Sequence, residues 1–256
     1  MWRLEEMQES KGIEGKVVVL TGATGGIGRI TAEMFARHGA KVVLVAQQVA
    51  ALEMLETELT GFGADVMSVP ADITDPTAIQ QLQHEVQENY GSVDILINNA
   101  AIAIMKPVSE ITSAEWNRMM DVNLFAGLRL IQAFLPGMQE RHSGVIVNMA
   151  AAVGRNGYPN LAIYSATKAA VIAFSEALAK EVRRAGVQVY TICPHGVDTS
   201  LYHSLFGDAD SNKLLKPEYV AQEILKVVMG QSSIRSGQTL ELVLKLDEKG
   251  VTPQVK

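Results

Sequence analysis

Short apolar runs alternate along this chain with longer segments of helical periodicity. The short runs are continuously apolar, and β-branched residues dominate most of them. Runs of this kind are typical of strands that are buried on both faces of a parallel sheet. The predicted strands are Lys16–Leu20, Lys41–Val45, Asp65–Val69, Asp94–Ile97, Gly144–Asn148, Val187–Ile192 and Thr239–Leu244.

The segments between these strands predict helices with recognisable ends. Asp75 is a cap-like residue before Pro76, and glycines such as Gly39 and Gly186 follow the last periodic residues. The predicted helices are Gly26–His38, Pro76–Tyr90, Ser113–Arg141 (long, or broken near Pro136), Tyr164–Ala185 and Pro217–Met229. Strands that alternate with helices predict βαβ units and an α/β fold, a doubly wound parallel sheet of about seven strands with helices on both faces. We expect a single domain over residues 15–250, an N-terminal extension over 1–14 and a C-terminal tail over 251–256.

Composition and charge exclude several classes of function. The 256 residues are 48% hydrophobic, and the net charge of −6 comes without a basic stripe, which argues against nucleic-acid binding. Residues 1–10 resemble neither a secretory signal nor a transit peptide, and no apolar run is long enough for a membrane helix. The one cysteine, Cys193, cannot form an intrachain disulfide. We therefore expect a soluble cytoplasmic protein.

A glycine-rich turn joins the first predicted strand to the first predicted helix. Thr21–Gly28 reads TGATGGIG, a GxxxGxG spacing. A pyrophosphate can approach the N–H groups at a helix N-terminus only where no Cβ blocks the way, and glycine meets that need. The alternative is a turn whose glycines merely let the helix pack closely on the sheet. The position of the turn after the first strand favours a dinucleotide site.

Further motifs follow in an order that resembles the short-chain dehydrogenase/reductase family, and within it the 3-oxoacyl-(acyl carrier protein) reductase type. The resemblance runs from about Lys16 to Leu244. Besides the glycine turn, it is carried by Asp72-Ile73, Asn98-Asn99-Ala100-Ala101, Asn123, the pair Tyr164 and Lys168, the segment Cys193–Thr199, and Ser236–Leu240 near the C-terminus.

The resemblance implies a Rossmann-type fold and hydride transfer between NAD(P)(H) and a ketone or secondary alcohol. It also implies a homotetramer or homodimer, for which the helix around Ala169–Leu178 could supply an interface, although burial within the monomer explains that apolar face equally well. The cofactor contacts that it implies, or that the turn predicts, are Thr21, Gly22, Thr24, Gly25, Gly26, Ile27, Gly28, Ala46, Gln47, Asp72, Ile73, Asn99, Ala100, Tyr164, Lys168, Pro194, Gly196, Val197 and Thr199.

Tyr164 and Lys168 are the candidate acid and its partner. They stand one turn apart on a predicted helix and therefore share a face. The ordinary pKa of a phenol, near 10, is too high for free proton exchange at neutral pH. A nearby ammonium stabilises the phenolate and should lower that pKa. By resemblance, Lys168 also holds the nicotinamide ribose and Asn123 positions a water. The alternative for Asn123 is a helix-interior amide that satisfies a backbone group.

Ala151 is the main departure from the family pattern. Family members carry a serine here that binds the substrate carbonyl, and neither Ala150 nor Ala152 supplies a hydroxyl instead. The chain could be an engineered or inactivated variant, or a natural member in which another group supplies the donor. It could also bind the dinucleotide without turnover, as a sensor or a partner subunit. Intact Tyr164 and Lys168 favour an enzyme.

The substrate contacts are the least defined part of the prediction. His195 replaces a family glycine and could face the nicotinamide, or it could be a surface histidine. Tyr158 and Tyr202 are the other candidates, and the loop Thr199–Lys216 should line the entrance. Within it, Gly207–Lys216 is either a mobile flap or a simple surface loop. The five histidines and one cysteine form no metal-binding pattern, so we expect no metal.

The end of the second strand bears on the choice of dinucleotide. A carboxylate at this point selects NAD by binding the ribose 2′-OH. This chain has Gln47 and Gln48 instead of a carboxylate. At positions 24 and 47 it also lacks an arginine or lysine that could bind a 2′-phosphate, because these positions are Thr24 and Gln47. Neutral amides can form hydrogen bonds with either the 2′-OH of NAD or the 2′-phosphate of NADP. We expect NADP(H) to be slightly favoured over NAD(H).

Overall fold

The computed structural model describes residues 12–247 and 250–255, and it contains one eight-stranded sheet in the order β3-β2-β1-β4-β5-β6-β7-β8. All neighbouring strands are parallel except β7 and β8, which are antiparallel. The strands are β1 (Val17–Thr21), β2 (Lys41–Ala46), β3 (Val66–Pro70), β4 (Ile95–Asn98), β5 (Gly144–Met149), β6 (Val187–Pro194), β7 (Thr239–Asp247) and β8 (Gly250–Val255). The seven predicted strands and the doubly wound parallel sheet are confirmed.

Helices cover both faces of the sheet. They are α1 (Gly26–Arg37), α2 (Val49–Thr60), α3 (Pro76–Tyr90), α4 (Ser113–Met120), α5 (Ala126–Glu140), α6 (Ala162–Val182), α7 (Ser200–Phe206) and α8 (Pro217–Val228). Alternate residues of the buried strands point to opposite faces. Accordingly, Leu20 packs with side chains of α1, α2 and α8, whereas Val19 packs with those of α3, α5 and α6.

The structure adds three elements to the prediction. Helix α2 buries Leu52, Leu55 and Leu59, a helical spacing that the sequence analysis did not use. Helix α7 lies within the predicted loop after β6. Strand β8 occupies most of the segment assigned to a C-terminal tail and pairs with β7 along an edge that would otherwise expose backbone groups.

The long helix predicted over Ser113–Arg141 is broken, but not near Pro136. A π-helical turn over Asp121–Phe125 separates α4 from α5, and α5 continues through Pro136. The Gln83 amide donates a hydrogen bond to the carbonyl of Ala133, three residues before the proline, at 2.6 Å. The proline itself leaves the carbonyl of Gln132, four residues earlier, without its helical N–H partner.

The expected N-terminal extension over 1–14 lies outside the described residues as far as residue 11. Within residues 12–247 and 250–255, no helix combines the length and the apolar character that crossing a membrane requires.

Candidate active site

A cleft of about 860 Å³ opens at the carboxyl ends of the parallel strands. It lies where the strand order reverses between β1 and β4, which is where ligands bind in open α/β sheets. The predicted site residues that line it are Gly22, Thr24, Gly25, Gly26, Ile27, Gly28, Ala46, Gln47, Ile73, Asn99, Ala100, Ala151, Tyr158, Tyr164, Lys168, Pro194, His195, Gly196, Val197, Thr199 and Tyr202. Thr21, Asp72 and Asn123 do not line it.

The glycine turn is shaped by close contacts within the chain. Gly22 has a φ of +64°, and a Cβ on Gly28 would lie 2.0 Å from the carbonyl oxygen of Gly22. A Cβ on Gly26 would lie 2.7 Å from the Thr199 side chain. Close packing therefore requires glycine at these three positions. Gly25 is the N-cap of α1 and makes no side-chain cap bond, which leaves the first amides of the helix available to an anion.

Thr21 and Asn99 tie the turn to the end of β4. The Thr21 hydroxyl oxygen accepts hydrogen bonds from the backbone N–H groups of Asn99, at 3.0 Å, and Ala100, at 3.1 Å. The Asn99 amide donates to the carbonyls of Thr21, at 3.0 Å, and Gly22, at 3.2 Å. Thr21 thus fixes the turn to the backbone that follows β4, and its side chain does not line the cleft.

The end of β2 presents neutral amides to the cleft. Gln47 and Gln48 both line it, and the Thr24 hydroxyl donates to the Gln48 side chain at 3.3 Å. Asp72 accepts hydrogen bonds from Thr74, and these contacts, followed by one from Gln47 and by the charge of Arg118, lower the pKa of its carboxyl group. Arg118 itself lines the same end of the cleft.

Tyr164 and Lys168 lie side by side at the buried base of the cleft. The Lys168 Nζ lies 5.8 Å from the centre of the Tyr164 ring and donates to the Met149 carbonyl at 2.9 Å. Burial raises the pKa of Tyr164 to about 12 and lowers that of Lys168 to about 8. The sequence expectation that Lys168 lowers the phenol pKa is therefore wrong for this structure, because desolvation dominates. A phenol that stays protonated at neutral pH can serve as an acid.

Asn123 sits in the π-helical turn and bonds within the protein. Its amide accepts from the Ile102 N–H at 2.8 Å and donates to the Ile102 carbonyl at 2.8 Å. It also donates to the Thr167 hydroxyl at 3.1 Å. These contacts hold the loop after β4 against α6, and they match the alternative in which this amide satisfies backbone groups.

Ala151 and His195 are two of the positions that depart from the pattern of the resembled family. Ala151 follows β5 and packs in the same apolar cluster as Tyr164. His195 also lines the cleft, and its Nε2 lies 2.9 Å from a carboxylate oxygen of Glu241 on β7. Cys193 lies on β6, two residues before His195, and is fully buried. Burial raises the pKa of its thiol to about 11. The thiol is therefore protonated and unreactive at neutral pH.

Helix α7 and the loop after it are held down on the cleft by Asp198. This carboxylate accepts hydrogen bonds from Lys216 at 2.8 Å, His203 at 2.8 Å and Ser211 at 3.0 Å. The Lys216 bond leads the contacts that lower the pKa of Asp198 to about 2, and Asp198 in turn raises the pKa of His203. One carboxylate thus ties His203 of α7 to Ser211 and Lys216 of the loop that follows.

Several cleft residues were not identified from the sequence. Among them are Ile102, Arg118 and Leu161. Ile102 follows predicted contacts at the end of a strand, so extending that motif by two residues would have found it. Arg118 carries no comparable signal, because only the packing of α4 brings it to the cleft.

The chain is similar to known proteins over most of its length. A family model described as short chain dehydrogenase matches residues 16–210. A 3-oxoacyl-[acyl-carrier-protein] reductase of Vibrio cholerae is 31% identical over 238 residues, which cover 90% of this chain and 96% of the relative. The matched region therefore includes the glycine turn, Tyr164, Lys168 and Ala151.

Two solved structures are similar to this chain in fold. L-sorbose reductase from Gluconobacter frateurii, in complex with NADPH and L-sorbose, has a TM-score of 0.84 and 29% identity, with coverage of 92% of this chain and 97% of that chain. The 3-ketoacyl-(acyl-carrier-protein) reductase from Brucella melitensis, in complex with NADH, has a TM-score of 0.83 and 31% identity, with coverage of 89% and 96%. The two complexes contain different dinucleotides.

Proposed function

Since this chain belongs to the short-chain dehydrogenase family of oxidoreductases, we propose that it transfers a hydride between NAD(P)(H) and a ketone or secondary alcohol. The observation that carries the proposal is the pair Tyr164 and Lys168, buried together at the base of the cleft. A lysine ammonium and a phenol are costly to bury, and groups with such perturbed pKa values cluster at functional sites.

The cleft has the features that a dinucleotide requires. A volume of about 860 Å³ extends from Gln47 to Tyr164, and the open N-terminus of α1 lies between them. The first amides of α1 would hold the pyrophosphate, and Lys168 would bond to the nicotinamide ribose. The nicotinamide supplies or accepts the hydride, while the chain orients it and manages the proton.

Tyr164 handles the proton in this proposal. During reduction, its phenol donates a proton to the carbonyl oxygen as the carbonyl carbon becomes tetrahedral. Lys168, held by the Met149 carbonyl, keeps a positive charge beside the phenol as the proton leaves. Asn123 contributes by positioning the loop after β4, through the backbone of Ile102.

We also propose a slight preference for NADPH over NADH. Gln47, Gln48 and Thr24 line the end of the cleft beside β2, and no Asp or Glu side chain of the described residues lines the cleft. A 2′-phosphate therefore meets no carboxylate in the cleft lining, while the amides can donate hydrogen bonds to it. The ratio of kcat/KM for NADPH to that for NADH measures the preference directly.

Replacing Gln47 with aspartate is expected to lower kcat/KM for NADPH by about tenfold or more, because the new carboxylate repels a 2′-phosphate. The value for NADH should stay within a few fold, since aspartate can accept from the 2′-OH. Gln47→Asn is the matched control, because it has the same size and no charge. Equal losses with both dinucleotides would show that Gln47 does not face the 2′ position.

Replacing Gly28 with alanine is expected to weaken NADPH binding and to destabilise the protein by about 1–3 kcal/mol, because the new Cβ meets the Gly22 carbonyl. Thermal unfolding and fluorescence titration with NADPH measure the two effects. Gly137→Ala is the control, since its Cβ would meet only the flexible Arg141 side chain at 3.5 Å. If both variants bind NADPH like the original chain, the glycine turn does not form the pyrophosphate site.

Oxidation of NADPH and NADH in the presence of a panel of ketones tests the proposed function. Turnover of at least one ketone is expected. Ala151 supports a second candidate, a protein that binds the dinucleotide without turnover. Tight NADPH binding with no turnover on the whole panel would favour that candidate, and an absence of binding would overturn both.

A further inference from the structure

The part of the cleft around Tyr164 is apolar. Tyr164 packs in a cluster with side chains from the loop after β4, from the segment after β5 and from α7. Members of this cluster are Ile102, Met105, Ala151, Val153, Leu205 and Phe206. Where a hydroxyl would be expected beside the acid, Ala151 presents a methyl group instead. The reacting carbonyl therefore lies in apolar surroundings on the side of Ala151.

Charged side chains are few in the cleft. Among the described residues that line it, the basic side chains are those of Arg118, Lys168 and His195. The Lys168 ammonium donates to the Met149 carbonyl, and His195 is paired with Glu241. The charge of Arg118 contributes to the lowered pKa of the Asp72 carboxyl group. Two of the three basic groups are therefore already hydrogen-bonded within the protein.

Three aromatic side chains close this end of the cleft. Phe206 on α7 meets Tyr158 edge to face, with ring centres 5.5 Å apart, and packs on Tyr202 at 4.7 Å. Tyr158 comes from the segment after β5, so the contact spans the cleft from one wall to the other. The anchoring of α7 through Asp198 holds Phe206 in place.

We propose that the substrate is an uncharged ketone with an aryl or other bulky apolar group next to the carbonyl, or the corresponding secondary alcohol. This inference rests on the proposed function. In the reduction, the carbonyl carbon gains a hydride from NAD(P)H, which leaves as NAD(P)⁺, and the carbonyl oxygen gains the Tyr164 proton, which solvent replaces. The aryl group packs against Phe206, Leu205 and Tyr158.

The cost of desolvation is the physical reason for this specificity. A hydroxylated sugar or a carboxylate loses hydration on entering the cleft, and the side chains of Ala151 and Phe206 offer it no hydrogen bond in return. An aryl group gains from the same transfer, because its apolar surface leaves water. The substrate class therefore differs from the L-sorbose that the Gluconobacter relative contains.

Comparison of three carbonyl compounds tests the proposal on the unmodified protein. Acetophenone is the expected class of substrate, benzoylformate adds a carboxylate to the same aryl ketone, and L-sorbose is a polar ketose. We expect kcat/KM for acetophenone to exceed that for each of the other two by about tenfold or more. Turnover of benzoylformate or L-sorbose at least as efficient would overturn the substrate class and leave the proposed function standing. Failure of every carbonyl compound to oxidise NADPH or NADH would overturn the proposed function itself.

A variant of the aromatic contact supplies an independent readout. Phe206→Ala is expected to lower kcat/KM for acetophenone about tenfold, with a much smaller effect on the small ketone 2-butanone. Phe62→Ala, at a half-exposed position outside the cleft, is the control and should leave both values unchanged. Equal behaviour of the two variants towards acetophenone would contradict a role for Phe206 in substrate binding. The comparison of substrates on the unmodified protein stands even if Phe206→Ala does not fold.

Discussion

Replacing Ala151 with serine is expected to raise kcat/KM for a ketone substrate by about 10²–10³-fold. Ala151 has an extended backbone, with φ −160° and ψ 156°, directly after β5, and it lines the cleft with Tyr164. A hydroxyl there can donate a hydrogen bond to the carbonyl oxygen as negative charge develops. Because the neighbouring side chains are apolar, such a donor acts more strongly than it would in water.

The test of this gain is the rate of NADPH and NADH oxidation with a ketone panel that includes acetophenone, for the original chain and the Ala151→Ser variant. Ala152→Ser is the matched control, because it adds the same hydroxyl one position later, where a 3₁₀ turn begins. A gain that is specific to position 151 supports the missing-donor argument. If Ala151→Ser improves no substrate, another group or the substrate itself supplies the donor.

Replacing Tyr164 with phenylalanine is expected to lower kcat by about 10²–10⁴-fold, because it removes the proton donor and keeps the ring. The buried ring continues to pack with Leu161 and Met119, so the variant should remain folded and bind NADPH. Since burial raises the pKa of Tyr164 to about 12, the phenol is protonated throughout the neutral range. The loss should therefore be large at every pH from 6 to 9.

Single-turnover kinetics over this pH range, together with a titration of NADPH binding, check the prediction. Tyr90→Phe is the control, because Tyr90 hydrogen-bonds to Asp65 and does not line the cleft. Retention of kcat within tenfold in Tyr164→Phe would show that another group supplies the proton. A loss of NADPH binding equal to the loss of kcat would indicate a structural role for Tyr164.

The pattern of apolar runs predicted the sheet well because both faces of each inner strand are buried. Val17–Thr21 is buried at every position, so nothing in the run has to be polar. The carboxyl ends of parallel strands meet at one edge, and motifs that follow different strands therefore come together in one cleft. Gly22, Gln47, Asn99, Ala151 and Gly196 all line this cleft.

The family motifs did not predict the contacts that the side chains of Thr21 and Asn123 make. Both residues belong to the family pattern, but their side chains bond to backbone groups of neighbouring loops. The break at Asp121–Phe125 is likewise associated with contacts from Asn123 to Ile102 and Thr167, which are distant in sequence. The sequence of one segment carries no information about such partners, and the proline at Pro136 offered the only local reason for a break.

The sequence by itself determined the parallel sheet, the glycine turn, the spacing of Tyr164 and Lys168, and the absence of a hydroxyl at Ala151. These follow from local rules: strand burial, the steric needs of a turn and the helical repeat. Only the tertiary structure decided the protonation of Tyr164 and Lys168, since desolvation depends on how deeply packing buries each group. It also decided the apolar character of the substrate end, because Tyr158, Leu205 and Phe206 come from segments that meet only in the folded chain.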